Sequence, residues 1–152
     1  MEKNYFEDYQ VGEKIVSPAR TITESDIHAF AGLTGDWHPI HTDTEYAKKT
    51  MFGERIAHGM LVLCIGGALP LRLGPFAVLP KSFIAFYGME SVRFLNPVKI
   101  GDTIQSEVET ISLDPKDDKR GVITSKNTIR NQRGEDAAVF VTKVLVGRKP
   151  KD

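Results

Sequence analysis

The chain has 152 residues, with 20 basic and 20 acidic side chains, four histidines and one cysteine. Its length suits one domain over 1–152 with a continuous apolar core and leaves no room for a second. Balanced charge supplies no broad electrostatic field, which argues against nucleic acid or a membrane surface as partner and favours a small molecule or a protein.

The opening Met1-Glu2-Lys3-Asn4-Tyr5 has no basic segment leading into an apolar run, so a cytoplasmic location is expected. Cys64 sits between Leu63 and Ile65 and reads as a buried, inert thiol in a reducing compartment. After the turn at Val11-Gly12, a short strand is expected from about Lys14 to Thr21. Thr23 then caps an amphipathic helix, with Glu24 and Asp26 in its first turn, Ile27, Phe30, Ala31 and Leu33 as its apolar stripe, and Gly35 at its end. His28 rides on this helix and receives no role.

The stretch from Gly32 to Tyr46 is dense in polar chemistry: Asp36, Trp37, His38, His41 and Asp43 surround Pro39. A further helical turn, capped by Thr44, is expected from Thr44 to Lys49. From Ile56 to Leu69 the sequence is almost wholly apolar and closes at Pro70. It is shorter than the roughly 20 residues a membrane span needs, so it reads as a helix buried on nearly all sides. Four strands follow, Phe83 to Phe94, Thr103 to Leu113, Val122 to Asn131 and Ala137 to Val146, separated by turn signals that suggest an antiparallel meander. The second alternates Ile104 and Val108 with Gln105, Glu107 and Glu109, the pattern of a sheet with one wet face. The last is apolar on both faces and should be central. The fold class is α+β, a curved antiparallel sheet folded round one buried helix. The tail from Arg148 to Asp152 looks loose.

Three readings of the polar stretch compete. Asp36 and His41 could hold one water between them and pass protons, with Pro39 fixing the backbone. They could equally cap the turn and the helical turn beyond it. As a metal site, His38 and His41 with Asp36, Asp43 or His58 would offer suitable ligands, but the spacing matches no strong ligand pattern. At the start of the buried helix, Gly59 could present its backbone N–H as an oxyanion donor or could simply allow close packing. His58 reads as a satisfied core histidine.

Taken together, Gly35-Asp36-Trp37-His38-Pro39-Ile40-His41, Tyr46-Ala47, Ala57-His58-Gly59-Met60, Val92-Arg93-Phe94, Pro97-Val98 and Gly101-Asp102 resemble the MaoC-like dehydratase family, which includes the R-specific enoyl-CoA hydratases. The resemblance implies a hot-dog fold, subunits paired as a homodimer or larger homo-oligomer, and reversible hydration of a trans-2-enoyl thioester without metal or redox cofactor. It assigns water activation to Asp36 and His41, polarisation of the thioester carbonyl to the N–H of Gly59, and the acyl substrate to the neighbourhood of Trp37, His38 and Met60. The hot-dog fold also serves thioesterases and non-catalytic acyl-CoA-binding subunits, which stand as the alternatives. His38 replaces the asparagine usual in the family, and Trp37 stands where phenylalanine is common. Gly67 replaces a serine that supports the catalytic pair in many members, which implies lower activity or another residue in that role.

Overall fold

The computed structural model of the protein describes residues 2–151. Thr23 caps the first helix as expected: its hydroxyl accepts from the Asp26 N–H, and the Asp26 carboxylate accepts from the Thr23 N–H, a reciprocal capping box. That helix, α1, runs Glu24–Thr34 and ends at Gly35 with φ 78°, the left-handed conformation glycine adopts without strain. Two single turns follow, α2 (Pro39–Thr42) and α3 (Thr44–Ala47). Pro39 opens α2 at the position where its missing N–H costs nothing. The cap of α3 is Asp43, whose side chain accepts from the Tyr46 N–H, rather than the expected Thr44.

The strand expected over Lys14 to Thr21 is two pieces, β1 (Lys14–Val16) and β2 (Arg20–Thr21), both antiparallel to one neighbour. Pro18 has no N–H to give a ladder, so the edge breaks at Ser17-Pro18 and Ser17 ties it down instead. The Ser17 N–H donates to the Ser106 carbonyl, and the Ser106 N–H donates to the Ser17 hydroxyl.

The long strands are β3 (Phe83–Phe94), β4 (Thr103–Pro115), β5 (Arg120–Asn131) and β6 (Asp136–Gly147). Sheet order is β1-β4-β5-β6-β3, all antiparallel, with β2 also on β4. Only β4, β5 and β6 follow one another as hairpins. The segment between β3 and β4 crosses the sheet, so β3 pairs with β6 and not with β4 as a full meander would require. Its Val98 and Lys99 meet Ala57 and Ile56 on the way, which occupies backbone groups a tight hairpin would have used. The β6 strand is internal, as its two apolar faces imply. The alternation in β4 also holds, with Ile104, Ser106 and Val108 buried.

Helix α4 (Gly59–Ala68) lies against β4, β5 and β6 and continues as a 3-10 turn over Leu69–Leu73. It is shorter than the expected Ile56 to Leu69, because Ile56 and Ala57 are extended against the crossing segment. Leu61, Val62, Leu63 and Leu69 join Ile22, Ile27, Ile104, Ile129 and Phe140 in the main core. The arrangement is α+β and hot-dog in type.

Two expectations fail on α4. The helix is not buried all round: Met60, Cys64, Gly67 and Ala68 lie open on one face, and Leu71 continues that stripe. Cys64 is therefore exposed rather than buried. Hydropathy registers that a face is apolar but not which body covers it, and one chain does not cover this one. The open face shares an apolar cavity of about 530 Å³ with Phe86 and Met89 of β3. The β3 strand forms a sheet edge and exposes Phe83, Ile84, Phe86, Tyr87 and Met89. From Arg148 to Lys151 the tail is better tied than expected, since Arg148 pairs with Glu7 and Lys151 with Asp118; Asp152 lies outside the described residues.

Glycine 67 is not required by packing. A Cβ there would meet Phe140 at 3.6 Å, an ordinary contact. Gly67→Ser should therefore fold normally, with a melting temperature within about 3 °C of wild type by calorimetry. A loss of 10 °C or more, on the order of the largest single-site effects in a domain of this size, would show an unseen steric constraint.

Candidate active site

The chain leaves α1 at Gly35 and turns at once. The Asp36 N–H donates to the Thr34 hydroxyl, and an Asp36 carboxylate oxygen accepts the His38 N–H at 3.2 Å. The His38 Nδ1 in turn accepts the Ile40 N–H, so His38 is the cap of α2. One turn of helix then presents His41 inward, where its Nδ1 lies 2.7 Å from the Ile56 carbonyl oxygen. A carbonyl only accepts, so the His41 proton resides on Nδ1 and Nε2 is left with a free lone pair.

His58 precedes α4 and is 2 % exposed. Its Nε2 lies 3.0 Å from the Asp36 carbonyl oxygen, and its ring stacks on His41 with centroids 3.9 Å apart. One oxygen of Asp36 and one ring nitrogen each from His41 and His58 all fall within 4.8 Å of one another. The folded chain therefore unites residues that lie 22 positions apart in the sequence. The same closeness is that of metal ligands, with a second ring nitrogen of each histidine placed on a backbone carbonyl.

Burial holds the His41 imidazole below its ordinary value of 6.5, and the neighbouring His58 and His38 push the same way. The Ile56 carbonyl and the Asp36 charge oppose them without prevailing.

Gly59 is the first residue of α4, and His58 offers no side-chain bond to that first turn. The leading N–H groups of the helix are thus without a capping partner. Gly59 borders a second cavity, of about 360 Å³, lined by Phe52, Ile56, Val62, Phe94 and Leu95 among others. Packing there is tight as well: a Cβ would stand 3.0 Å from the half-exposed Phe94 ring, which would have to give by a few tenths of an ångström. Phe94 follows a bulge in β3 between Glu90 and Arg93, where Ser91 adopts φ 53°.

Among the other expected site residues, Met60 lines the 530 Å³ cavity and is half exposed. Trp37 packs toward α1, near Gly32 and 6.2 Å from the His28 ring, and lines neither cavity. His38 faces Tyr46 and His41, with ring centroids 5.9 and 6.2 Å away. Gly67 lies eight residues beyond Gly59, about 12 Å along the helix, and opens on the larger cavity instead of the Asp36 and His41 cluster. The two backbone acceptors, Asp36 O and Ile56 O, carry no residue signature and could not be anticipated.

Residues 8–132 match the MaoC like domain family. The chain belongs to the MaoC-like family. Relatives of this MaoC-like chain include the (R)-specific enoyl-CoA hydratase of Rhodospirillum rubrum, 44% identical over 115 residues, a match covering 74% of each protein. Protein MaoC of Klebsiella aerogenes is also 44% identical, over 103 residues, which is 68% of this chain but only 29% of that longer protein. Among solved structures, a monoamine oxidase regulatory protein of Archaeoglobus fulgius superposes with a TM-score of 0.92 at 46% identity and 97% coverage of both chains. The fold and the hydratase-type family are thereby fixed for this MaoC-like chain. Among its described residues no helix is long and apolar enough to cross a membrane.

Proposed function

We propose that this MaoC-like chain catalyses reversible hydration of a trans-2-enoyl-CoA to a (3R)-3-hydroxyacyl-CoA. The observation that carries the reading is the convergence of the Asp36 carboxylate and the His41 ring beside the uncapped start of α4. Two hydrogen bonds of about 2.8 Å meeting at one water oxygen span roughly 4.5 Å, which suits a single water held between these groups. That water adds its hydroxyl to C3, and its proton passes to the Asp36 and His41 pair. As the C2–C3 π electrons move toward the thioester, negative charge grows on the carbonyl oxygen, where the Gly59 N–H stabilises it. The pair then returns a proton to C2, so no proton is consumed on the enzyme. Met60 and the apolar cavity beyond it receive the acyl chain, while Trp37 and His38 shape the loop around the water.

Incubation with trans-2-enoyl-CoA substrates of several lengths should remove the enoyl absorbance and yield the (3R) alcohol on chiral analysis. Free thiol release with no hydration would instead favour a thioesterase, and binding without turnover a non-catalytic acyl-CoA subunit. For the CoA phosphates, Arg55, Lys81 and Lys99 are each engaged by a carboxylate, from Glu24, Glu2 and Glu54. Arg93 donates to the Val92 carbonyl and has no carboxylate partner among the described residues, which makes it the freest of the four. The apolar β3 edge and the open face of α4 are of the kind a second copy covers, in keeping with a homodimer.

A proton acceptor must be neutral to work. Because the His41 ring titrates below 6.5, it stays neutral at neutral pH and charges only as the solution becomes more acid. The acid limb of kcat/KM is therefore expected below pH 6.5, in a profile measured from about pH 5 to 8. A limb above 6.5 would contradict the assignment.

A further inference from the structure

We propose that His58 is a positioning residue of the active site, holding the Asp36 backbone with one edge of its ring while its face sets the orientation of His41. The inference rests on the hydration reading for its consequence in turnover, but not for its geometry.

Four observations meet on this side chain. It is almost fully buried, its ring lies between Phe30, 4.9 Å away, and His41, 3.9 Å away, and its Nε2 meets the Asp36 carbonyl at 3.0 Å. The carbonyl can only accept, so the proton of the His58 ring sits on Nε2. The remaining nitrogen, Nδ1, is buried with no hydrogen-bond partner. A histidine retained purely for packing would be replaceable by an apolar ring that leaves no polar atom unpaired. Here the imidazole is needed for the one thing a phenyl ring cannot do, which is to donate to Asp36.

The consequence concerns both catalytic groups. Asp36 lies on an exposed loop, and its carboxylate bonds the His38 N–H of that same loop. The His58 bond ties this loop to the first turn of α4, the element that carries Gly59. The stacked ring, meanwhile, stops His41 from turning about the Ile56 bond. The charged or titratable groups around His58 are His41 from α2 and Asp36 from the loop, with His38 beyond His41, while α1 contributes the apolar Phe30.

The test compares wild type, His58→Gln and His58→Ala in steady-state hydration, in thermal melts, and in NMR titration of the His41 ring with hydrogen exchange of the loop amides. Glutamine keeps an N–H donor near the Nε2 position, whereas alanine keeps neither donor nor ring. His58→Ala is expected to lower kcat by about tenfold to a hundredfold with KM within about twofold, the signature of a displaced catalytic group. His58→Gln should recover most of that loss and keep wild-type exchange at Trp37 and His38. In both variants the His41 ring should titrate at a higher pH than in wild type, because the imidazole packed on it is gone. The proposal is overturned if His58→Ala keeps the wild-type kcat, if the His41 titration does not move, or if kcat in the variants merely follows their melting temperatures. Should wild type hydrate no enoyl thioester, the functional reading fails by itself. The titration and exchange data then decide the positioning role without turnover.

Discussion

Asp36→Asn should reduce kcat for enoyl-CoA hydration by about 10²-fold to 10⁴-fold while leaving the melting temperature unchanged, the range expected when a positioned proton-transfer group is removed. The variant is informative because asparagine keeps an oxygen where the Asp36 carboxylate accepts the His38 N–H, so the turn into α2 survives. What disappears is the negative charge and the ability to take a proton. His41→Ala would be a blunter instrument, since it also deletes the 2.7 Å contact with the Ile56 carbonyl and so loosens the segment it acts from. Parallel measurement of enoyl absorbance and thermal unfolding separates chemistry from folding. Hydration by Asp36→Asn at the wild-type rate would remove Asp36 from the mechanism.

Gly66→Ala should destabilise the fold by about 1 to 3 kcal/mol, the range for overpacking a core. A Cβ at Gly66 would fall 2.3 Å from Cδ1, 2.6 Å from Cγ1 and 3.2 Å from Cγ2 of Ile129, which is 0 % exposed and has nowhere to swing. Alanine in a helix interior gains up to about 1 kcal/mol over glycine, so propensity offsets part of the clash without reversing it. The helix cannot readily slide away either, because the Ser106 hydroxyl donates to the Gly66 carbonyl at 2.6 Å. Chemical denaturation of Gly66→Ala, Ile129→Ala and the double variant would check this. The double variant should be less unstable than the sum of the two single changes, and strict additivity would mean that the two residues do not collide.

Where local chemistry decides an element, the sequence was a good guide. Thr23 and Gly35 bracket α1 as their cap chemistry requires, β3 spans Phe83–Phe94 as expected, and the wet and dry faces of β4 follow its alternation. Asp36 and His41 cluster with His58, the residue before Gly59. Elsewhere the deciding contact is distant. Turn residues after β3 mark where the chain bends, but not that β3 will lie beside β6. Asp43 and Thr44 are adjacent acceptors, and only the extended backbone of Asp43 selects it as the cap. Cys64 looked buried because its neighbours are apolar, yet α4 turns it toward an open face. His58 looked like an ordinary core histidine, and only the fold reveals which carbonyl it meets and which ring it covers.

The two imidazole bonds have a topological consequence. His41 reaches forward to Ile56, and His58 reaches back to Asp36, so the segment from 36 to 58 is fastened to itself by two nested links. Closing a loop of that length costs on the order of 3 kcal/mol in chain entropy, and these links, with the packing of α2 and α3, offset it. The two histidines also lie one upon the other, so the fasteners are not independent. Removing either ring would therefore uncover the other, and the water-holding groups, clamp and helix start keep their register through the same pair of links.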